Sequence, residues 1–217
     1  MTIELFAHPF SSYCQKALIA FYENDVPFTY RMLEDAGVGE EFASLWPIKR
    51  FPIVRENGRV VLEASIVIEY LQVHHPGPVK LIPEDPDLAL EVRMLDRVFD
   101  NYVMTPQGKL VFDALRPADS RDPTGVEEAR KTLGTSYAWL DQRMEGRTWA
   151  VGETFTLADC AAAPSLFYAD WTHRIPEQYR NLTAYRARLL QRPSFARAVD
   201  EARRFRHYFP LGAPKRD

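Results

Sequence analysis

The first third of the chain alternates short apolar runs with helical patterns. Residues 3–7 form an apolar run of strand length, and residues 16–24 repeat apolar side chains along one face of a helix. A second run of strand type follows at 27–32. The pattern therefore predicts a strand, a helix and a strand, with a tight turn between the first two.

A hairpin and a further helix complete this part of the chain. Asn57-Gly58 lies between β-rich runs at 51–55 and 59–62, and Asn-Gly in this setting is the strongest short-range signal for a β-hairpin. Apolar residues from Ile66 to Leu71 then recur at helical spacing. With a helix in the polar stretch after residue 32, the predicted order is β-α-β-α-β-β-α.

The remainder of the chain is predicted to be helical. Apolar residues recur at steps of three and four along 88–102 and 126–144, which indicates two long amphipathic helices. Three more helices are expected near 156–171, 177–191 and 194–206.

A proline-rich segment separates the two patterns. Pro76, Pro78, Pro83 and Pro86 are too closely spaced for a helix or a central strand. The predicted organisation is a domain at residues 1–76, a linker at 77–86 and an all-helical domain at 87–217.

Composition narrows the class of protein. With 217 residues, 46% of them hydrophobic, the chain can bury a full core. No apolar run approaches the ~20 residues of a membrane span, and the N-terminus lacks a signal-peptide pattern, so we expect a cytoplasmic protein with no membrane partner. Cys14 and Cys160 suggest no disulfide framework, and with the scattered histidines they offer no metal-ligand spacing. No metal is expected.

Charge is unevenly distributed about a formal net value of −3. The C-terminal segment is basic, with seven of its arginines between Arg186 and Arg206. A basic cluster can mark a nucleic-acid surface, but these arginines are spaced as the solvated side of helices whose other side is apolar. We therefore expect no nucleic-acid partner.

The turn after the first strand carries the most informative chemistry. Residues 8–16 read His-Pro-Phe-Ser-Ser-Tyr-Cys-Gln-Lys, which places two hydroxyls and a thiol where a helix begins. One serine is accounted for as a helix cap, because a side-chain oxygen there accepts an unpaired backbone N–H. The second serine is left without a structural explanation.

The order of these motifs resembles the cytosolic glutathione transferases. The shared features are a Ser-Ser-x-Cys turn, Phe51-Pro52 before the hairpin, Glu63-Ala64-Ser65 after it, the proline-rich linker and a helical second half containing Phe-Thr-Leu-Ala-Asp at 155–159. The resemblance covers essentially the whole chain. It implies a thioredoxin-like α/β N-terminal domain followed by an all-α domain.

The resemblance assigns a catalytic role to one of the two serines. In thioredoxin-like folds a Cys-x-x-Cys motif occupies this turn, and here the leading cysteine is replaced by Ser11, with Cys14 at the second position. A serine hydroxyl can donate to the sulfur of bound glutathione and favour its thiolate form. The zeta- and omega-like register selects Ser11, whereas a theta- or delta-like register selects Ser12. Cys14 itself is expected to be a small buried residue.

Glutathione-binding residues follow from the same resemblance. The Phe51-Pro52 pair resembles the family's cis-proline turn, where the residue before proline offers its backbone to the cysteinyl part of glutathione. Arg50 would lie near the glycine carboxylate. An exposed arginine in this place can equally be a solvated side chain without a ligand.

The γ-glutamyl end is where the sequence departs from the family. Glu63-Ala64 stands where an acidic residue and a serine usually bind the γ-glutamyl group. Ala64 keeps a backbone N–H at the helix terminus but lacks the hydroxyl, and Ser65 is expected about 100° further round the helix. Glu63 can alternatively be a simple cap.

The Phe-Thr-Leu-Ala-Asp motif is assigned to folding. Thr156 is expected to cap the following helix while Asp159 accepts from the Thr156 backbone N–H, and Phe155 is expected to pack against Cys160.

The sequence thus predicts a homodimeric glutathione transferase with glutathione as co-substrate and an unnamed apolar electrophile. A glutathione-dependent isomerase or dehalogenase shares every feature. A non-catalytic interaction module on the same fold is the alternative from another class. The aromatic residues of the helical half are candidates for the electrophile pocket, with core packing as the default: Phe99, Tyr102, Phe112, Tyr168 and Trp171.

Overall fold

The N-terminal part is an α/β unit built on a four-stranded mixed sheet. A computed structural model describes residues 3–217, so the first two residues of the predicted N-terminal domain lie outside the described residues. The strands are β1 (Ile3–Ala7), β2 (Phe28–Met32), β3 (Ile53–Glu56) and β4 (Arg59–Leu62), in the spatial order β2-β1-β3-β4. β1 pairs parallel with β2 and antiparallel with β3.

Three helices complete this unit. They are α1 (Ser12–Glu23), α2 (Val38–Leu45) and α3 (Ala64–His74). The predicted order β-α-β-α-β-β-α is present. The hairpin is also as predicted: Asn57 and Gly58 both have positive φ, at 51° and 80°, and connect β3 to β4.

Side-chain alternation along β1 divides the core into two layers. Leu5 and Ala7 join a large cluster with α1, α3 and the helical half, whereas Phe6 faces the other way into a small cluster with Val38 and Phe42 of α2. Because successive strand residues point to opposite faces, one short apolar run supplies both layers. The central strands β1 and β3 therefore have buried residues on both faces of the sheet.

The second part of the described chain is helical. Its α-helices are α4 (Pro86–Val98), α5 (Thr105–Ala114), α6 (Pro123–Arg143), α7 (Leu157–Thr172), α8 (Arg180–Gln191) and α9 (Pro193–Ala202), followed by a 3-10 segment at Arg203–Tyr208. α7 is buried almost throughout and packs against α1, α4 and α5, so it joins the two parts of the molecule. No helix between residues 3 and 217 is both long and apolar enough to cross a bilayer.

One helical region differs from the sequence-based expectation. The predicted helix at 88–102 continues through a π-helical segment, Phe99–Met104, into α5, which the apolar pattern does not indicate. Pro106 interrupts that pattern, yet it lies in the first turn of α5, where a missing N–H is tolerated. A π-helical segment also shifts the apolar face, which explains why the period of the first helix does not continue into the second.

The segment between α3 and α4 is attached to the N-terminal unit. The side chain of Asn24 donates to the Val79 carbonyl at 3.0 Å and accepts from its N–H at 2.8 Å. Gln72 holds both backbone groups of Ile82 in the same way. α3 ends at His74 and α4 begins at Pro86, while the predicted domain limits stay predictions.

Candidate active site

Ser11 lies at the N-terminus of α1 and caps it. Its backbone is extended (φ −87°, ψ 126°), and its Oγ accepts from the Cys14 N–H at 3.4 Å. The Ser11 N–H donates to the His8 carbonyl at 3.0 Å, which closes the turn. Ser12 is the first residue of the helix, and among residues 3–217 nothing hydrogen-bonds to its hydroxyl. Both serines are half-buried and line one cavity.

Cys14 is buried, as expected, and does not reach that cavity. Its Sγ accepts from the His8 N–H at 3.4 Å. Burial raises the pKa of the Cys14 thiol to about 12, more than the hydrogen bonds from Ser11 and His8 lower it. A thiol that remains protonated and buried is a poor nucleophile. The two serines therefore remain the candidate functional side chains of this turn.

The start of β3 forms the second wall of the cavity. The Phe51–Pro52 peptide bond is cis, and both residues line the cavity. Arg50 and its neighbour Lys49 are exposed at the same rim. Arg50 is therefore placed where it can meet an anionic group.

The start of α3 forms the third wall. Glu63 precedes the helix with φ 68° and ψ 123°, and its side chain does not cap the helix. Within the described residues, no side chain accepts from the first N–H groups of α3, which begin at Ala64. Both residues line the cavity. A helix N-terminus with uncapped N–H groups suits a carboxylate ligand.

Ser65 is turned away from the cavity into a buried ionic network. Its hydroxyl accepts from Lys16 Nζ at 2.9 Å and donates to Asp96 Oδ2 at 2.8 Å. Lys16 Nζ also contacts Asp96 at 2.5 Å and Asp100 at 2.7 Å. Arg97 completes the network with contacts to both carboxylates and to Ser65. The structure thus brings together the other predicted site residues but places Ser65 beside them, in the contact between α1, α3 and α4.

The cavity has a volume of about 840 Å³ and a mixed lining. Its N-terminal wall holds the predicted residues described above, and Arg97 and Asp100 reach it from the buried network. Burial raises the pKa of the Asp100 carboxyl more than the adjacent Lys16 lowers it. Charged side chains therefore line the cavity from both halves of the chain.

The opposite wall comes from the helical half, where apolar side chains such as Val111 and Leu115 alternate with polar ones such as Gln107. Of the candidate aromatic residues, Phe112 and Tyr168 line the cavity, whereas Phe99 is buried in the core and Tyr102 and Trp171 are not part of the lining. Sequence reasoning missed the contribution of the C-terminal residues to this wall. Those C-terminal residues are Tyr208, Phe209 and Pro210. Apolar periodicity does not predict these residues, because they lie after the last α-helix, α9.

The Thr156–Asp159 motif acts at the start of α7, away from the cavity. Asp159 Oδ2 accepts from the Thr156 N–H at 2.8 Å, as predicted, and the Thr156 hydroxyl donates to the same oxygen at 3.0 Å. Asp159 Oδ1 accepts from the Ala150 N–H and from the Tyr185 hydroxyl. The motif has a structural role, since every group that contacts this carboxylate belongs to the buried interior.

Comparison with known proteins identifies the family. The model for the Glutathione S-transferase N-terminal domain matches residues 5–79, and that for the Glutathione S-transferase C-terminal domain matches residues 103–193. The chain belongs to the glutathione transferase family. The family and the fold class predicted from the sequence are confirmed.

Solved structures agree with this assignment. A glutathione transferase of Methylobacillus flagellatus with glutathione bound is 25% identical, with a TM-score of 0.81, and covers 91% of this chain and 98% of its own. A second, from Methylobacterium radiotolerans in complex with glutathione sulfonate, is 26% identical with a TM-score of 0.79, covering 92% and 95%. Together with the two family matches, they support the predicted classification as a transferase enzyme.

Relatives at the sequence level have more varied names. The chain is 23% identical to the Stringent starvation protein A homolog of Coxiella burnetii, with 91% of each chain covered. It is 25% identical to FtsZ-localized protein A of Caulobacter vibrioides, with 90% of each covered. The maleylacetoacetate isomerase of Dictyostelium discoideum is 21% identical over 91% of this chain and 93% of its own.

Proposed function

We propose that the protein activates glutathione in the 840 Å³ cavity, with Ser11 as the donor to the thiolate and an apolar electrophile as the second substrate. The observation that carries the proposal is the convergence of a helix-capping serine, a cis-proline turn and an uncapped helix N-terminus on one cavity. These three features supply partners for the sulfur, the backbone and the γ-glutamyl carboxylate of a glutathione molecule.

Ser11 can cap α1 and also donate a hydrogen bond to the sulfur of glutathione. Its oxygen accepts from the Cys14 N–H, and its own hydrogen, which lies near the Cys14 thiol, can turn toward a sulfur atom in the cavity. A thiol with a starting pKa of ~8.5 is about 3% ionised at pH 7, and a drop of about 2 units raises this to roughly 75% at a cost of ~2.7 kcal/mol. One hydrogen bond to a charged acceptor and the helix terminus together supply that amount. Ser12 is the alternative donor.

The remaining residues bind the peptide. Phe51 offers its backbone next to Pro52, Arg50 faces the glycine carboxylate, and the N–H groups at Ala64 receive the γ-glutamyl carboxylate, with Glu63 near its amine. Ser65 serves this site indirectly, by fixing the start of α3 to the Lys16 network. The N-terminal wall holds glutathione and the apolar side chains of the helical wall contact the electrophile, so the two reactants meet beside the serine turn.

Two further properties extend the proposal. Exposed apolar side chains on α3 and α4, namely Ile66, Val73, Leu90 and Met94, support pairing of two subunits. Sedimentation at the monomer mass of 25.0 kDa would contradict the homodimer. Cys14 and Cys160, both free, support a cytoplasmic location, where thiols stay reduced.

A direct assay tests the proposal. The purified protein is incubated with millimolar glutathione and an aryl-halide electrophile, and the conjugate is measured by absorbance, with retention on immobilised glutathione measured in parallel. We expect both turnover and retention. Retention without conjugation would redirect the search to isomerase or dehalogenase substrates, for which the relatives named maleylacetoacetate isomerase give a specific reason.

The second candidate function is a non-catalytic interaction module. It is favoured by the two relatives whose names describe no enzyme, the Stringent starvation protein A homolog and FtsZ-localized protein A. The absence of a hydroxyl at Ala64 fits this reading as well. If the protein neither binds glutathione at millimolar concentration nor forms conjugate, the transferase mechanism is wrong and this function replaces it.

A further inference from the structure

The backbone immediately before Ser11 is held by two buried side chains. Gln15 Nε2 donates to the Pro9 carbonyl at 3.0 Å and to the Tyr168 hydroxyl at 3.1 Å. The Tyr168 hydroxyl in turn donates to the Phe10 carbonyl at 3.2 Å. The two carbonyls that precede Ser11 are thus each bound by a side chain, one from α1 and one from α7.

Gln15 makes these bonds with its amide nitrogen, while its amide oxygen is left unpaired among residues 3–217. It is fully buried, and within the described part of the chain its Oε1 has no hydrogen-bond partner. The opposite amide orientation is unfavourable because it would set Oε1 against the Pro9 carbonyl. An apolar side chain of similar length would fill the space without an unpaired acceptor. Packing alone therefore does not explain a glutamine here.

Tyr168 connects this arrangement to the helical half. Its ring packs edge-on against Phe10 with centroids 5.5 Å apart, and it also lines the cavity. The ring contact needs no hydroxyl, whereas the bond to the Phe10 carbonyl does. The hydroxyl is consequently the part of Tyr168 that fixes the turn.

We propose that Gln15 and Tyr168 are positioning residues, which hold the carbonyls of Pro9 and Phe10 so that the serine hydroxyl is directed at the sulfur. The inference rests on the proposed function, because it concerns the same thiolate. A hydrogen bond weakens steeply with misalignment, so a small rotation of the turn reduces stabilisation of the thiolate without removing the serine. The residue from α7 makes the geometry of the N-terminal site depend on docking of the helical half.

The test compares two tyrosine-to-phenylalanine variants. Tyr168→Phe removes the hydroxyl that bonds to Phe10. Tyr137→Phe is the matched control, because Tyr137 is also buried in the helical half and donates to a backbone carbonyl, that of His173 at 2.9 Å. Both variants lose one buried hydroxyl, so a general loss of stability affects both. Only Tyr168→Phe alters the serine turn.

The thiolate of bound glutathione is titrated by its ultraviolet absorbance, and kcat and KM are measured from pH 6 to pH 8. In Tyr168→Phe we expect the titration midpoint to rise by about 0.5 to 1 pH unit. From a midpoint of ~6.5, the thiolate fraction and kcat then fall about 3- to 8-fold at pH 6 and are nearly equal to the parent at pH 8. The KM for glutathione changes less than about 2-fold. Tyr137→Phe keeps the parent profile.

Gln15→Met gives an independent check, since it removes the bond to Pro9 together with the unpaired acceptor. We expect the same direction of titration change with little net change in thermal stability, because the unpaired Oε1 is removed while the Pro9 carbonyl loses its donor. A titration in Tyr168→Phe and Gln15→Met that matches the parent overturns the proposal.

Hydrogen exchange separates this outcome from failure of the proposed function. The Ser11 amide should exchange at least about 10-fold faster in Tyr168→Phe than in Tyr137→Phe, with or without glutathione. If the parent forms no thiolate, the proposed function fails, and this exchange rate alone decides whether the turn is held by Tyr168. Unchanged exchange contradicts the positioning role.

Discussion

The cavity is bordered by two strand-to-helix junctions, which differ in whether a side chain caps the first N–H groups of the helix. At the start of α1, Ser11 caps its own helix and the preceding carbonyls are bound by buried side chains. At the start of α3, Glu63 adopts a positive φ and leaves the helix uncapped, while the nearest hydroxyl, on Ser65, is committed elsewhere. The first junction is capped by its own side chain, whereas the second has no side-chain cap among the described residues.

Lys16 connects the two junctions. It extends from α1 and donates to Ser65 on α3, and it neutralises the buried carboxylates of Asp96 and Asp100 on the helical side. An ammonium group that is 1% exposed carries a large desolvation penalty, which is offset only by such close partners. The relative position of the two junctions therefore depends on one buried charge cluster.

The largest expected effect is the loss of stability on removing the Lys16 ammonium group, which connects the two junctions. Lys16→Met leaves two buried carboxylates with Arg97 as their remaining cation and should lower the free energy of unfolding by about 3 to 5 kcal/mol. Chemical denaturation measures this change in the free energy of unfolding. Lys80→Met is the control, since Lys80 is exposed and, within residues 3–217, pairs with Glu84 alone, and it should leave stability unchanged.

A double variant identifies the origin of the loss. Adding Asp100→Asn to Lys16→Met removes one uncompensated charge and should recover part of the lost stability. If the double variant is less stable than Lys16→Met, the cost lies in lost packing and the ionic explanation is wrong.

The next largest expected effect tests the first junction, at the start of α1. Ser11→Ala should lower turnover with an aryl-halide electrophile by about 10- to 1000-fold, the scale of one lost donor to a developing or stabilised anion. Glutathione affinity should change little. Ser12→Ala is the matched variant. If turnover falls more in Ser12→Ala than in Ser11→Ala, the catalytic donor is Ser12, whose hydroxyl has no hydrogen-bond partner among residues 3–217.

The sequence predicts these junctions unequally well. The order of strands and helices along the N-terminal part, the hairpin and the Ser11 turn follow from local patterns, because apolar periodicity and turn residues act over a few positions. The roles of Gln15 and Tyr168 do not, since their contact joins residues distant in the chain. The same holds for the C-terminal wall at Phe209. The π-helical segment and α5 were missed because the shift in the apolar face hides the period.

Affinity for glutathione tests the second junction. Ala64→Ser restores a hydroxyl beside uncapped N–H groups and should tighten binding by roughly 10- to 100-fold, equivalent to about 1.5 to 3 kcal/mol for a hydrogen bond to a charged group. Calorimetry measures the dissociation constant. Ser65→Ala is an informative companion, because Ser65 faces Lys16 rather than the cavity and should lower stability more than affinity. Equal affinity in the parent and Ala64→Ser would mean that the backbone N–H groups already satisfy the ligand.

The smallest effect concerns the backbone of Glu63. Its φ of 68° with ψ of 123° is a region that glycine adopts more easily than any residue with a side chain. Glu63→Gly should therefore raise the free energy of unfolding by about 0.5 to 1 kcal/mol, the range for relieving such strain after the entropy of the unfolded chain is counted. It should also weaken glutathione binding, because it removes the carboxylate that we place near the γ-glutamyl amine. Asn57→Gly is the control: Asn57 has φ 51° in the hairpin, away from the cavity, and should gain less stability with no change in affinity. Greater stability joined to weaker binding would show that strain at α3 is retained for the ligand, whereas a stability gain with unchanged affinity would remove Glu63 from the site.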